Sequence, residues 1–409
     1  MMETKIQRLV FLVILSMGLF TTAQAETWKA KEMRLAWERA AWRIGPVRLQ
    51  PAILIKDAGY DSNIYYHPEA VSDFWLTAGP AANMYFMVKR RLIVHLFESP
   101  QYVFFLKTKR ERTWNNYLNG DVSLSFNRVL FTFGGSYNNA RERWNYEIDI
   151  RPRRKEKGAF FSLLFQKSSR VSFEGRVRRL DYNYESIEYN GVNIGERLTH
   201  REDYLSGRIY YGLNPRIRYF IEGELGRFDF KNPGSAGDSR SQSLYSGFEF
   251  SPTGRIRGQI RIGYKKFDAL TPDLPDFKGL VGESSVSLIF GKLLTVRGSY
   301  RRDVNFSVWS RSAYFVEQSW ATGPSVYLFR RKIRVDYTYS RARNDYPVPE
   351  YPGADPRRDD YTLNSVAIYY RISKTAGLGL SAGSWTRKVN VFNWDASRKF
   401  IGLNLTYDF

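Results

Sequence analysis

Apolar and polar residues alternate with a period of two along much of this 409-residue chain. The pattern is clearest at the end, where Ile401, Leu403, Leu405, Tyr407 and Phe409 interleave with Gly402, Asn404, Thr406 and Asp408. A strand between lipid and a wet interior needs one apolar face and one small or polar face. The alternation recurs in Ile256–Ile262, Leu294–Tyr300 and Val129–Gly134, and more briefly in Ile333–Tyr337. Arg257, Arg261, Arg297 and Arg334 all fall on the polar face of these runs. A charge on the other face would meet lipid, at about 2–4 kcal/mol near the midplane. Many runs also outlast the roughly five or six residues of strands in soluble sheets.

Short turns alternate with long polar connections. Turns are predicted at Lys89–Arg91, Asn127–Arg128, Lys167–Arg170, Asn214–Arg216, Pro252–Gly254, Gly291–Leu293, Arg330–Lys332 and Ser373–Ala376. Loops rich in Gly, Pro, Asn and Asp lie between them, as at Ile187–His200, Lys231–Arg240, Asp268–Gly279 and Asn344–Arg357. Short periplasmic turns facing longer extracellular loops are the arrangement of outer-membrane barrels. With both ends periplasmic, these turns predict an all-β fold over residues 47–409: a transmembrane antiparallel up-and-down β-barrel of about 18 strands. Its first strands are placed at Val47–Tyr65 and Phe74–Val88, its last at Gly377–Lys388 and Ala396–Phe409. The count becomes about 16 if one N-terminal pair is misread, because Pro51, Pro80 and Pro100 remove ladder donors there.

The N-terminus reads as an export signal. Lys5 and Arg8 precede the apolar stretch Leu9–Phe20, and Ala23-Gln24-Ala25 supplies a small-x-small cleavage site. Residues 1–25 are therefore expected to be a cleaved signal peptide. The apolar stretch is too short for a spanning helix. The expected destination is the outer membrane of a Gram-negative bacterium. Residues 26–46 stand apart as a periplasmic segment, with Trp28, Met33, Leu35, Trp37 and Trp42 among Lys29, Lys31, Arg34, Glu38 and Arg43. They fit a short amphipathic helix at the periplasmic mouth or in the lumen, or a poorly ordered leader. At the other end, Tyr407 and Phe409 resemble the signal by which barrels are handed to the barrel-assembly machinery.

Composition narrows the chemistry. The absence of cysteine excludes disulfides, thiolate metal sites and haem attachment within the chain. Neither a cofactor nor a metal is expected. His95 has no partner motif for catalysis, and Asp355, Asp359 and Asp360 lack the spacing of a calcium loop. Aromatics at 16% suit two girdles at the membrane interfaces. The net charge of +21 calls for an anionic partner. For an exported barrel the candidates are lipopolysaccharide, small anions or an anionic polymer, not nucleic acid.

The alternation assigns Arg176, Arg178, Arg218, Arg257, Arg261, Lys265, Arg297, Arg301 and Arg334 to the lumen, together with Glu174, Glu222, Glu224 and Asp336. Rings of cations select anions in pores. The alternative is that neighbouring strands pair these charges and merely hold the wall together. Arg110, Arg112, Arg141, Arg143, Arg151, Arg153 and Arg154 lie at or near loops, suited to lipopolysaccharide phosphates or solvent. Tyr182, Tyr184, Tyr210, Tyr211, Phe228 and Phe230 read as girdle residues, with stacking on sugar rings as the alternative. One of Tyr210 and Tyr211 must point inward.

Short motifs add a resemblance. Gly59-Tyr60-Asp61-Ser62-Asn63-Ile64-Tyr65, Val71-Ser72-Asp73-Phe74, Ala78-Gly79-Pro80, Asn116-Tyr117 and Leu213-Asn214-Pro215-Arg216 make the chain similar to the β-barrel porins encoded with exopolysaccharide biosynthesis operons. That resemblance implies a conduit for export of an anionic exopolysaccharide, working beside periplasmic polysaccharide-export proteins. A general or anion-selective diffusion porin is the alternative. A third reading is a barrel sheath around a partner such as a cytochrome or secretion component.

Overall fold

The computed structural model describes residues 27–409 apart from 90, 144–146, 148–149, 190, 233–236, 252–253, 272–273, 309–310 and 392. The expected signal peptide and two residues of the turn expected at Pro252–Gly254 lie outside the described residues. Long antiparallel strands make up most of the rest. The first nine are β1 (Val47–Asp61), β2 (Asp73–Val88), β3 (Leu92–Phe105), β4 (Thr113–Phe126), β5 (Val129–Arg141), β6 (Arg153–Gln166), β7 (Val171–Tyr184), β8 (His200–Asn214) and β9 (Ile217–Phe230). They are followed by β10 (Ser239–Phe250), β11 (Ile256–Ala269), β12 (Phe277–Phe290), β13 (Leu294–Phe306), β14 (Tyr314–Leu328), β15 (Ile333–Asp345), β16 (Arg358–Arg371), β17 (Ala376–Val389) and β18 (Ala396–Asp408).

Each strand pairs with its sequence neighbours, and β1 pairs with β18 through Ile53↔Tyr407 and Tyr60↔Ile401, which closes the ring. One 19-stranded sheet results; its extra member, Trp42–Ile44, only folds back on the start of β1. The barrel proper therefore has 18 strands, the larger of the two expected counts. Closure leaves no open edge, so every strand can satisfy its backbone inside the membrane.

Lipid sets the register. Exposed apolar side chains fall on alternate positions: Phe173 and Val177 on β7, Leu205, Ile209 and Tyr211 on β8, Ile260 and Ile262 on β11, Ile401 and Leu403 on β18. A one-residue slip would turn each set inward and put the intervening charges in lipid. Apart from Glu98 on β3, outward carboxylates on the strands lie in the extracellular half and pair across or along strands, as in Arg179–Asp203 at 2.6 Å and Arg201–Asp181 at 2.9 Å.

Strand limits depart from expectation at one informative place. The first strand ends at Asp61 rather than Tyr65, because the Asp61 carboxylate accepts the Asn63 amide at 2.9 Å and bends the chain. Ile64 and Tyr65 then turn in and pack on Val103 and Phe105. The prolines did not delete a strand pair. Pro80 and Pro100 stand opposite one another, and the β2–β3 ladder lapses only between Ala78↔Tyr102 and Ala82↔Glu98.

Both mouths are crossed. Helix α1 (Trp28–Arg39) is capped by Thr27, whose side chain accepts the Ala30 amide at 3.3 Å. Its first turn sits on β7–β9 and its last turn meets β1, where Arg48 lies 4.3 Å over Trp37. About 18 Å of helix thus spans the periplasmic mouth. On the extracellular side the β5–β6 loop reaches far across the ring. Its buried Glu147 accepts hydrogen bonds from the Ser307 hydroxyl (2.8 Å), the Val308 amide (3.0 Å) and the Tyr346 hydroxyl (2.9 Å). Helix α2 (Ile194–Leu198), in the β7–β8 loop, joins Val308 in the same buried cluster.

Candidate functional site: the barrel lumen

The register places Glu174, Arg176 and Arg178 on the inner face of β7, and Arg218, Glu222 and Glu224 on that of β9. Arg257, Arg261 and Lys265 follow on β11, Arg297 and Arg301 on β13, and Arg334 and Asp336 on β15. These residues divide into paired and unpaired sets. Arg261 bonds Glu283 at 2.7 Å and lies 3.7 Å from Glu222, which Arg208 holds at 2.6 Å. Lys265 pairs with Asp303 at 2.5 Å, Arg334 with Asp336 at 3.0 Å, and Arg218 approaches Glu249 at 3.9 Å. Glu174 is taken by Lys29 of α1 at 2.7 Å. Cross-strand neutralisation therefore accounts for much of the charge.

A remainder stays unneutralised. Among the described residues, Arg176, Arg178, Arg257, Arg297 and Arg301 face inward without a carboxylate partner. Arg176 stacks on Phe160 at 4.4 Å and Arg178 on Tyr204 at 4.4 Å. Counted from the periplasmic turns, Arg257 and Arg297 lie low, Arg176 higher, and Arg178 and Arg301 near mid-strand. The last two line one cavity of about 300 Å³ together with Lys265 and Asp303. Guanidinium groups held on aromatic faces keep their donors free for a passing anion.

The opposite wall differs. Strands β1–β5 present Thr77, Asn83, Ser99, Gln101, Asn115, Asn119 and Asn138 to the interior, with Trp75, Phe97 and Tyr117. All of them except Asn83 line a cavity of about 760 Å³. His95 sits on this wall between Asn83 Oδ1 at 3.1 Å and Asp121 at 3.4 Å, stacked on Tyr85. Sequence reasoning passed over these amides because it followed charge. The same alternation rule, applied to Thr113–Phe126, would have found Asn115 and Asn119.

Two expectations need correction. Tyr182, Tyr184, Tyr210, Phe228 and Phe230 are not girdle residues: they share the inner face with Glu174 and Glu222, and only Tyr211 points to lipid. Phe228 and Phe230 cluster with His200, Phe267, Phe306 and Tyr314 and narrow the upper lumen. Arg143 and Arg151 do not face outward either. Both line the large cavity, Arg143 over Tyr66 at 4.3 Å and Arg151 over Phe105 at 4.9 Å. A second strand histidine, His200, opens β8. Asp359 and Asp360 take opposite faces of β16, where Arg357 and Arg343 hold them at 2.6 and 3.0 Å.

Residues 164–409 match the family described as "Putative beta-barrel porin 2". No curated protein matches the chain. Among solved structures, OccAB2 of Acinetobacter baumannii is similar with a TM-score of 0.52 at 12% identity, over 88% of this chain and 98% of that one. The outer membrane protein opdK of Pseudomonas aeruginosa is similar with a TM-score of 0.50 at 10% identity, over 90% of this chain and all (100%) of that one.

Proposed function

The chain belongs to the family of the "Putative beta-barrel porin 2" description, and from that premise we propose that it is a diffusion porin whose lumen favours small anions. It is an outer-membrane protein of Gram-negative bacteria, with the family and fold of channels rather than of enzymes. The observation that carries the anion preference is the unpaired series Arg257, Arg297, Arg176, Arg178 and Arg301 on one wall. Electrostatic attraction along such a series concentrates anions, and no single member binds tightly enough to stop passage.

The test is the reversal potential of the purified barrel in a planar bilayer under a salt gradient. Chloride is expected to permeate several-fold better than potassium, an effect of about 1 kcal/mol in relative entry free energy. A neutral or cation-preferring channel rejects the proposal.

A second reading keeps the polysaccharide substrate. It is favoured by the amide and aromatic wall around the cavity of about 760 Å³, because carboxamides and flat rings suit sugar hydroxyls and pyranose faces. The family and fold support a porin, and they give export no further backing than that. Oligosaccharide block of the ionic current separates the readings: current reduced by oligosaccharides but not by small organic anions would favour the sugar.

A further inference from the structure

The outer wall obeys one rule almost everywhere. The outward carboxylates Asp181, Asp203, Asp229, Asp268, Asp345 and Asp360 each lie 2.6–3.0 Å from an Arg or Lys, all in the extracellular half. Glu98 breaks it. The register puts Glu98 on the lipid face of β3, in line with Ala82 of β2 and Leu118 of β4. Leu92, Val94 and Leu96 lie below it on that face, and Pro100, Tyr102 and Phe104 above. It has neither an ion pair nor a hydrogen bond among the described residues. A lone carboxylate at mid-strand in lipid is costly, and such groups usually find a partner.

Three neighbouring features point the same way. Asn116, on the lipid face of β4 opposite Pro100, adds a second polar side chain diagonal to Glu98. The facing prolines interrupt the ladder beside Glu98, between Ala78↔Tyr102 and Ala82↔Glu98. Ala78, Pro80, Ala82 and Pro100 give this stretch a low profile, which lets another wall approach closely. Together they form a polar, shallow patch in a field of apolar side chains.

We propose that this patch is a dimer interface within the membrane, occupied by a second copy of the chain. The argument is self-complementarity. Glu98 and Asn116 are diagonal neighbours across β3 and β4, roughly 7–8 Å apart. A two-fold axis along the membrane normal, passing between them, sets each Glu98 carboxylate to accept from the carboxamide N–H of Asn116 of the partner subunit. An isologous contact requires just this reciprocity, in which one residue meets another and the second meets the first. Lipid tails supply no donor, whereas a second copy always carries the matching one. This inference concerns the outer wall and stands whether or not the lumen prefers anions.

The absence of cysteine makes the test direct. Ala82→Cys and, as a control on a distant lipid face, Ile262→Cys are oxidised in intact outer membranes. Ala82→Cys is expected to give a band at twice the monomer mass, at least about fivefold more abundant than for Ile262→Cys. Adding Glu98→Leu and Asn116→Leu to Ala82→Cys should cut that band about fivefold. Heat-modifiable gel migration confirms that each barrel is folded; leucine is well suited to a lipid face. Equal cross-linking at both cysteines, or a product with a different protein, overturns the second-copy assignment. Undiminished cross-linking in the leucine background overturns the Glu98–Asn116 seam.

Discussion

The two walls of the lumen solve one problem in different ways. Strands β7–β13 carry dense charge of both signs, and most of it is spent internally: Glu222 alone serves Arg208 and Arg261. Strands β1–β5 carry amides and hydroxyls around the larger cavity, with hydrogen bonds such as Gln101 to the Ser99 hydroxyl at 2.9 Å. The charged wall is rigid because its groups are locked to one another, and its selectivity comes from the few arginines left over. The amide wall has little net charge, so its groups hydrate and exchange partners at low cost. A count of lumen charges would have assigned selectivity to all nine cations; the pairing leaves five.

Reversing three of those five should break the contrast most strongly. Arg176→Glu, Arg178→Glu and Arg301→Glu together are expected to turn anion preference into cation preference, about a tenfold swing in the permeability ratio. Placing three glutamates on the amide wall, at Gln101, Asn119 and Asn138, should shift the ratio less than half as far on a logarithmic scale. Equal effects from the two triplets, read as reversal potentials, would mean that the walls do not differ as described.

A smaller effect is expected in stability. Glu222→Gln leaves Arg208 and Arg261 sharing less negative charge in a buried setting, at a cost of about 2 kcal/mol. Asn119→Ala, on the amide wall, should cost under about 0.5 kcal/mol. Urea midpoints of the barrel in vesicles compare the two. A Glu222→Gln loss no larger than that of Asn119→Ala would show that the pairing is not structural.

The smallest effect concerns the loop above the amide wall. Burial holds the Glu147 carboxyl above its ordinary value of 4.5, against the pull of the Arg357 guanidinium. A carboxyl raised on folding stabilises the closed loop fully below pH 4.5, and that contribution is lost as pH rises through the raised value. Current flicker from loop opening should therefore increase modestly, by about twofold or less, between about pH 4 and pH 8. Glu147→Gln should keep the low-flicker behaviour throughout. A pH response unchanged in that variant would place its origin in another group.

How much of this was legible depended on which force dominated locally. On β7, β9, β11 and β13 the penalty for charge in lipid is so large that Arg176, Glu222, Arg261 and Arg301 could be assigned to the inner face from alternation alone. For aromatic residues the same test is silent. Tyr210 and Phe228 tolerate either face, so composition suggested a girdle while the register turned them inward. Glu98 was missed for a related reason: Pro80 and Pro100 obscured the alternation of β2 and β3, and the outward phase became clear only from pairing.

The amino-acid order by itself determined the barrel, its count of about 18 strands and the inner face of the charged residues on β7, β9, β11 and β13. All of these follow from short-range periodicity and the cost of charge in lipid. Pairing of cations with carboxylates belongs to the tertiary structure, because Arg261 meets Glu283 and Glu222 only through neighbouring strands. The crossing of the two mouths belongs there too. Lys29 lies 145 residues from Glu174 and Glu147 lies 160 from Ser307, separations that no local pattern encodes. Closing the ring is what brings those distant groups within reach of one another.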